Sequence, residues 1–205
     1  MSIVRLLQCP LQAVLLCLYF FVSSSLSALQ PVEVVGSVDF EINQSPYDWN
    51  AIFIDLRANE NPSETPYNKQ FVDDVKVILT TAYKMRQGPD KFTYYQAEVT
   101  LATLERGKTK RVSFFLPEDI VERDQLDNEP EYWTIDIEIG GRSLKATPKR
   151  LSRSIKDLEM LEKFRRAYSS KVQATDGILV PAHRSPYGYG FGEREPAPVV
   201  WKSAK

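Results

Sequence analysis

The chain has 205 residues, 43% of them hydrophobic, with 26 Lys plus Arg against 27 Asp plus Glu and a formal net charge of -1. This length fits one domain with appendages and allows a real core, while the near-neutral balance argues against a general nucleic-acid or polyanion binder. The sole histidine, His183, removes catalytic triads that need a second imidazole and most zinc sites.

Arg5, an apolar run from Leu11 to Val22 and then Ser23 to Ala28 follow the charged, apolar, small-residue order of a secretory signal, with cleavage expected after Ser25, Ser27 or Ala28. A membrane span needs about 20 apolar residues, and Gln8, Pro10 and Gln12 interrupt the upstream half. A retained anchor is therefore the weaker alternative. Both cysteines, Cys9 and Cys17, lie in residues 1–28, so the mature domain is expected to have neither thiol nor disulfide. The expected destination is the periplasm or the cell surface.

Next, Val32, Val34, Val38, Phe40 and Ile42 alternate with polar residues, and Gly36 sits where a bulge or a close backbone approach would fit. After turn chemistry at Ser45 to Asp48, Ile52, Ile54 and Leu56 predict a second strand. The polar stretch Ala58 to Gln70 is a surface loop long enough to be functional. Val75, Val77, Leu79, Thr81 and Tyr83 then fall on one face of a third strand, and Tyr95, Ala97, Val99 and Leu101 on one face of a fourth. Arg106, Gly107 and Lys108 are expected to turn the fourth strand into an antiparallel hairpin with a fifth, in which Val112, Phe114 and Leu116 alternate until Pro117.

Pro117, Glu118 and Asp119 resemble a helix start, giving one or two turns to Leu126. Trp133, Ile135, Ile137 and Ile139 form a sixth strand, and Gly140 and Gly141 turn it into a short seventh at Ser143 to Ala146. The period then becomes helical over residues 154–172. Ile155, Leu158, Leu161, Phe164, Tyr168 and Val172 trace one stripe, with Ser154 and Asp157 as the N-terminal cap and Gly177 as the stop. This helix is expected to pack on the sheet or cover its edge, the alternative being a projecting partner-binding helix. Residues 181–205 read as a Gly-, aromatic- and Pro-rich tail, expected to be an ordered strap across the sandwich or a disordered tail, the sharper alternative being a recognition segment in which Tyr187, Tyr189 and Phe191 are candidate partner-binding side chains. About seven strands at this spacing predict a mainly β chain folded as an antiparallel sandwich over residues 29–180.

Candidate chemistry is sparse. Gly188, Gly190 and Gly192 lack the strand-to-helix context of a nucleotide loop. Residues 118–131 concentrate Glu118, Asp119, Glu122, Asp124, Asp127, Glu129 and Glu131, which could gather oxygen ligands for calcium but fit no EF-hand spacing. Arg142, Lys145, Lys149, Arg150, Arg153 and Lys156 form a basic run suited to head-to-tail self-association or to an anionic envelope surface. Trp49, with Tyr47 and Trp133, lies near strand ends and suits either a sugar platform or core anchoring, and Trp49 and Trp133 are further candidate partner-binding side chains. No acid-base pair is singled out, so no enzyme, cofactor or metal is expected.

The succession of Val38 to Asn43, the Tyr47 to Trp49 turn, Phe71 to Tyr83, Phe92 to Leu104, Ser113 to Arg123 and Trp133 to Gly141 resembles a family of exported bacterial proteins. The resemblance covers most of the mature chain. It implies an immunoglobulin-like β-sandwich related in fold to archaeal type IV pilins, genes that accompany pilus-assembly genes, and no catalytic residues. No glycine precedes Gly36, so the glycine-then-acid site cut by prepilin peptidases is missing, which implies an accessory protein rather than a pilin subunit. The expectation is a non-catalytic interaction module of the cell envelope, contacting a protein partner or a second copy through sheet edges or the tail. The alternative is a carbohydrate- or calcium-binding periplasmic module.

Overall fold

A computed structural model describes residues 30–43, 49–86, 91–186 and 199. Among these the chain forms β1 (Val32–Val34), β2 (Asp39–Asn43), β3 (Trp49–Ala58), β4 (Phe71–Lys84), β5 (Phe92–Glu105), β6 (Thr109–Leu116), α1 (Glu118–Arg123), β7 (Tyr132–Ile139), β8 (Arg142–Ser143), α2 (Leu158–Ser169) and β9 (Val180–Pro181). One sheet runs β1-β3-β6-β9, with β2 also on β3, and the other runs β5-β4-β7-β8. With β1 and β2 taken together, this puts the A, B and E positions of an immunoglobulin-like sandwich in one sheet and C′, C, F and G in the other. Among the described residues no helix is long and apolar enough to cross a membrane.

The expected first strand is split. Val34 pairs with Leu56 and Asp39 with Phe53, so residues 35–38 span the length that residues 54 and 55 span on β3. Gly36, at φ +75°, supplies the left-handed backbone that this bulge needs. In β4, Asp74 at φ +53° reverses the alternation, which is why Val72 and Val75 both reach the core.

The hairpin expected between β5 and β6 does not form. β6 pairs with β3 from Asn50↔Leu116 to Arg57↔Thr109, in the other sheet from β5. The Arg106–Lys108 turn carries the chain across the sandwich instead. It is fixed there by Gly107 N–H donating to the Ala58 carbonyl at 2.8 Å and Arg106 N–H to that of Gln70 at 2.9 Å. A turn residue states that the chain bends; the long apolar ladder offered by β3 decides where the next strand goes.

Between the sheets lies the main core. Ile52, Ile54, Leu56, Val112, Phe114 and Leu116 meet Val75, Val77, Leu79, Tyr95, Leu101, Ile135 and Ile137, all at most 5% exposed. A second, smaller core joins α2 to the outer face of the β5-β4-β7-β8 sheet. Tyr94, Ala82 and Tyr132 form one cross-strand row. Phe164 sits on it, with ring centroids 6.1 Å from Tyr94 and 6.2 Å from Tyr132. The small side chain of Ala82 leaves the room that this ring uses.

α2 is shorter than expected. Its cap is Asp157, whose carboxylate accepts from the Met160 N–H at 2.8 Å, while Ser154 instead donates to Glu131. Ile155 is buried in the preceding turn rather than in the helix, and Leu158 is 71% exposed, with Met160 packing in its place. Ser169 and Ser170 donate to the carbonyls of Arg166 and Ala167 where the helix ends. Gly177, at φ +77°, comes only after a further 3₁₀ turn at Val172–Thr175.

Candidate functional site

The candidate partner-binding aromatics divide into three groups. Tyr187, Tyr189 and Phe191 lie outside the described residues, as does Tyr47. Trp49 opens β3 and packs with Ala51, Phe53 and Phe115 on the outer face of its sheet, where Val180 and Ala182 also rest. Trp133 packs against the main core in the opposite sheet, its ring 6.1 Å from that of Phe40. The two tryptophans thus occupy different layers and share no platform.

The charged stretches are also dispersed. Asp124 is held by Arg123 through two hydrogen bonds of 2.7 Å, Asp127 pairs with Arg86, and Glu131 accepts from Ser154. Among the described residues no three His, Cys, Asp or Glu side chains are placed to hold a metal ion. Of the basic run, Arg142, Lys145, Lys149, Arg153 and Lys156 are exposed, but Arg150 is 1% exposed. Its Nη2 donates to the Lys145 carbonyl at 2.7 Å and to Gln30 Oε1 at 3.3 Å, and Nη1 has no hydrogen-bond partner. Burial pulls its pKa down, with nearby Asp136 acting against that. Arg150 is therefore an internal strut rather than part of a basic surface. Charge patterning could not reveal this, because a buried arginine looks in sequence like its exposed neighbours.

Two further polar groupings escaped sequence reasoning. Asp55 and Arg111 are direct cross-strand partners, and the guanidinium donates to both carboxylate oxygens, at 2.9 and 3.1 Å. Arg111 also lies 4.9 Å from the Phe53 ring centroid, so one cation serves an ion pair and an aromatic face. At the α1 end of the core, the Tyr95 hydroxyl donates to Asp124 at 2.7 Å, while the Tyr83 hydroxyl is buried without a partner. Burial raises both phenols well above the ordinary tyrosine value. The Arg123 guanidinium, and then Tyr95, hold the Asp124 carboxyl below the usual carboxylate range although burial opposes them. A cross-strand Asp-Arg pair is readable once register is known; the tyrosines carry no local signal.

The arrangement most able to engage another chain is the flank formed by β5 and β6. Leaving α2, the chain passes Tyr94, whose carbonyl accepts from the Thr175 hydroxyl, and buries Leu179 in the main core. It then pairs as β9 on β6, through Phe114↔Pro181 and Phe115↔Val180. Half-buried His183 follows in a 3₁₀ turn, its pKa lowered by burial and then by Arg184. Among the described residues the outer edge of β5 has no such ladder. Among the described residues it carries one antiparallel bridge, Leu101↔Val199.

No protein family and no curated protein matches the chain. A crystal structure of a protein from Akkermansia muciniphila is similar to it, with a TM-score of 0.64 and 16% identity, over 84% of this chain and 95% of that one. At that identity the likeness establishes the shared sandwich fold and carries nothing about activity.

Proposed function

We propose that the chain is an exported, non-catalytic interaction module of the cell envelope, acting as an accessory to a type IV pilus-like assembly rather than as its subunit. The observation that carries this reading is the outer edge of β5, a 14-residue strand that pairs with β4 along one side and, among the described residues, carries only the Leu101↔Val199 bridge on the other. Such an edge offers main-chain hydrogen bonds to a strand from another protein. Its neighbours supply recognition chemistry: Glu98 and Ala102 are exposed along β5, and Lys76 pairs with Glu98 at 2.7 Å. The signal-like residues 1–28 and the lack of cysteine beyond them support export.

Affinity capture of the tagged full chain from solubilised envelopes of its native cell tests the proposal. Co-purification of pilus-assembly proteins, repeated at low and high salt, is the expected result. Capture of a stoichiometric cytosolic enzyme, with no envelope protein above the untagged control, would overturn it.

A further inference from the structure

From Arg142 to Ser152 the chain runs back along the edge of β7. Arg142 pairs with Ile139, Leu144 N–H donates to the Ile137 carbonyl at 2.8 Å, and Ser152 N–H donates to that of Trp133 at 2.9 Å. This register spreads the segment over about 20 Å, at roughly 3.4 Å per residue of β7. Between Glu138 and Asp157 the sequence holds six Lys or Arg and no acid. Arg150 turns inward to the Lys145 carbonyl and Gln30, while Arg142, Lys145, Lys149, Arg153 and Lys156 stay exposed. Among the described residues none of those five forms an ion pair. The flanking acids are already engaged: Glu138 accepts from Ser143, Glu131 from Ser154, and Asp157 caps α2.

Lysine and proline are common guards of a sheet edge. Here Pro148 and its 3₁₀ turn already interrupt the outer backbone, so five further cations exceed what that guard requires. Two residues past Lys156 stands Leu158, 71% exposed; among the described residues it and Tyr67 are the large hydrophobic side chains left exposed. Unpaired cations bordered by an apolar side chain suit the boundary where anionic headgroups meet acyl chains. An acidic protein or glycan would pair the cations but leave Leu158 in water.

We propose that this edge is a docking surface for anionic phospholipid, with the five cations against headgroup phosphates and Leu158 entering the acyl boundary. One leucine and a strip of cations make the attachment peripheral and reversible. The inference deepens the envelope-module reading by naming a lipid surface as a partner, and rests on that reading for the chain meeting such a surface.

Flotation of the full chain with vesicles containing phosphatidylglycerol, against vesicles of phosphatidylcholine alone, tests this. Binding to the anionic vesicles at low salt, weakened at high salt, is expected. Lys145→Gln, Lys149→Gln, Arg153→Gln and Lys156→Gln together should lower partitioning at least about ten-fold. The same change of charge at Arg57, Lys69, Lys84 and Lys91, exposed elsewhere, should lower it by less than about two-fold. Residues 1–28 are common to all these chains, so their contribution cancels in the comparison. Leu158→Ala should weaken binding about three-fold with its circular dichroism unchanged. Equal binding to the two vesicle types, or equal loss from the two charge variants, would overturn the proposal. Binding to polyglutamate but not to vesicles would overturn it in favour of an acidic protein partner. Vesicle binding with failed envelope capture would leave this edge standing and remove the pilus-assembly reading, and capture without vesicle binding would do the reverse.

Discussion

Replacing Phe164 with alanine should lower the stability of the domain by about 4 kcal/mol, from the usual 3–5 kcal/mol for deleting a buried phenyl ring. Phe164 is 6% exposed and meets three rings, those of Tyr94, Tyr132 and Tyr168, the last at 5.6 Å. Below it lies Ala82, which cannot expand into the vacated volume, so the site would relax little. For a domain of this size each kcal/mol shifts the melting temperature by about 2–4 °C, giving an expected fall of about 8–16 °C. The control is Leu158→Ala on the same helix. Leu158 is 71% exposed, and its loss should change stability by no more than about 0.5 kcal/mol. Urea unfolding of both variants, with unchanged slope, supplies the assay. If Phe164→Ala proved as mild as Leu158→Ala, α2 would be a docking arm and not a layer of the fold.

Three further outcomes follow from the polar groups. Asp55→Ala leaves the Arg111 guanidinium, 14% exposed, without its bidentate partner and with only Asp39 at 3.7 Å; a loss of about 2 kcal/mol is expected, and a double-mutant cycle with Arg111→Ala should return a coupling above about 1 kcal/mol. Tyr83→Phe removes a buried hydroxyl that has no partner, so chemical denaturation should show it neutral or stabilised by about 1 kcal/mol. Because the folded value of Tyr83 is raised, its contribution is complete below the unfolded value near pH 10 and is lost as pH climbs from there. Tyr83→Phe should therefore move the alkaline unfolding midpoint upward, as followed by tyrosinate absorbance beside circular dichroism. Asp124 has the opposite sign: its depressed folded value means stability present above about pH 4 and lost as pH falls through the folded value. Asp124→Asn should flatten the fall in stability with acid.

Much of this architecture is legible in the residues because period-two patterning survives wherever one face of a strand is buried. The inward faces of β4, β5, β6 and β7 are those that alternation assigns, and Gly36 marks the bulge where it was expected. What failed to read through was decided by partners distant in sequence. Arg106 to Lys108 look like a hairpin, but β3 captures β6 because Ile52, Ile54 and Leu56 present a matching ladder. Leu158 fits the helical stripe, yet Asp157 starts the helix later and Met160 takes the contact. Arg150 reads as one more surface cation, and only a three-dimensional arrangement that brings Lys145 and Gln30 around its guanidinium buries it. For the candidate site, aromatic composition pointed to Trp49 and Trp133, which serve separate layers, whereas the edge of β5 depends on strand order, a property that no local pattern encodes.

The most direct test of the account is where the chain resides in its native cell and what it touches there. Crosslinking in intact cells, followed by separation of periplasm, envelope and cytosol and by intact-mass measurement, reads both at once. The account predicts a chain lacking about its first 28 residues, as expected of a cleaved signal, recovered outside the cytoplasm in a discrete adduct with an envelope protein or a second copy. A chain retaining Met1 to Ala28, recovered from the cytosol without an adduct, would contradict it.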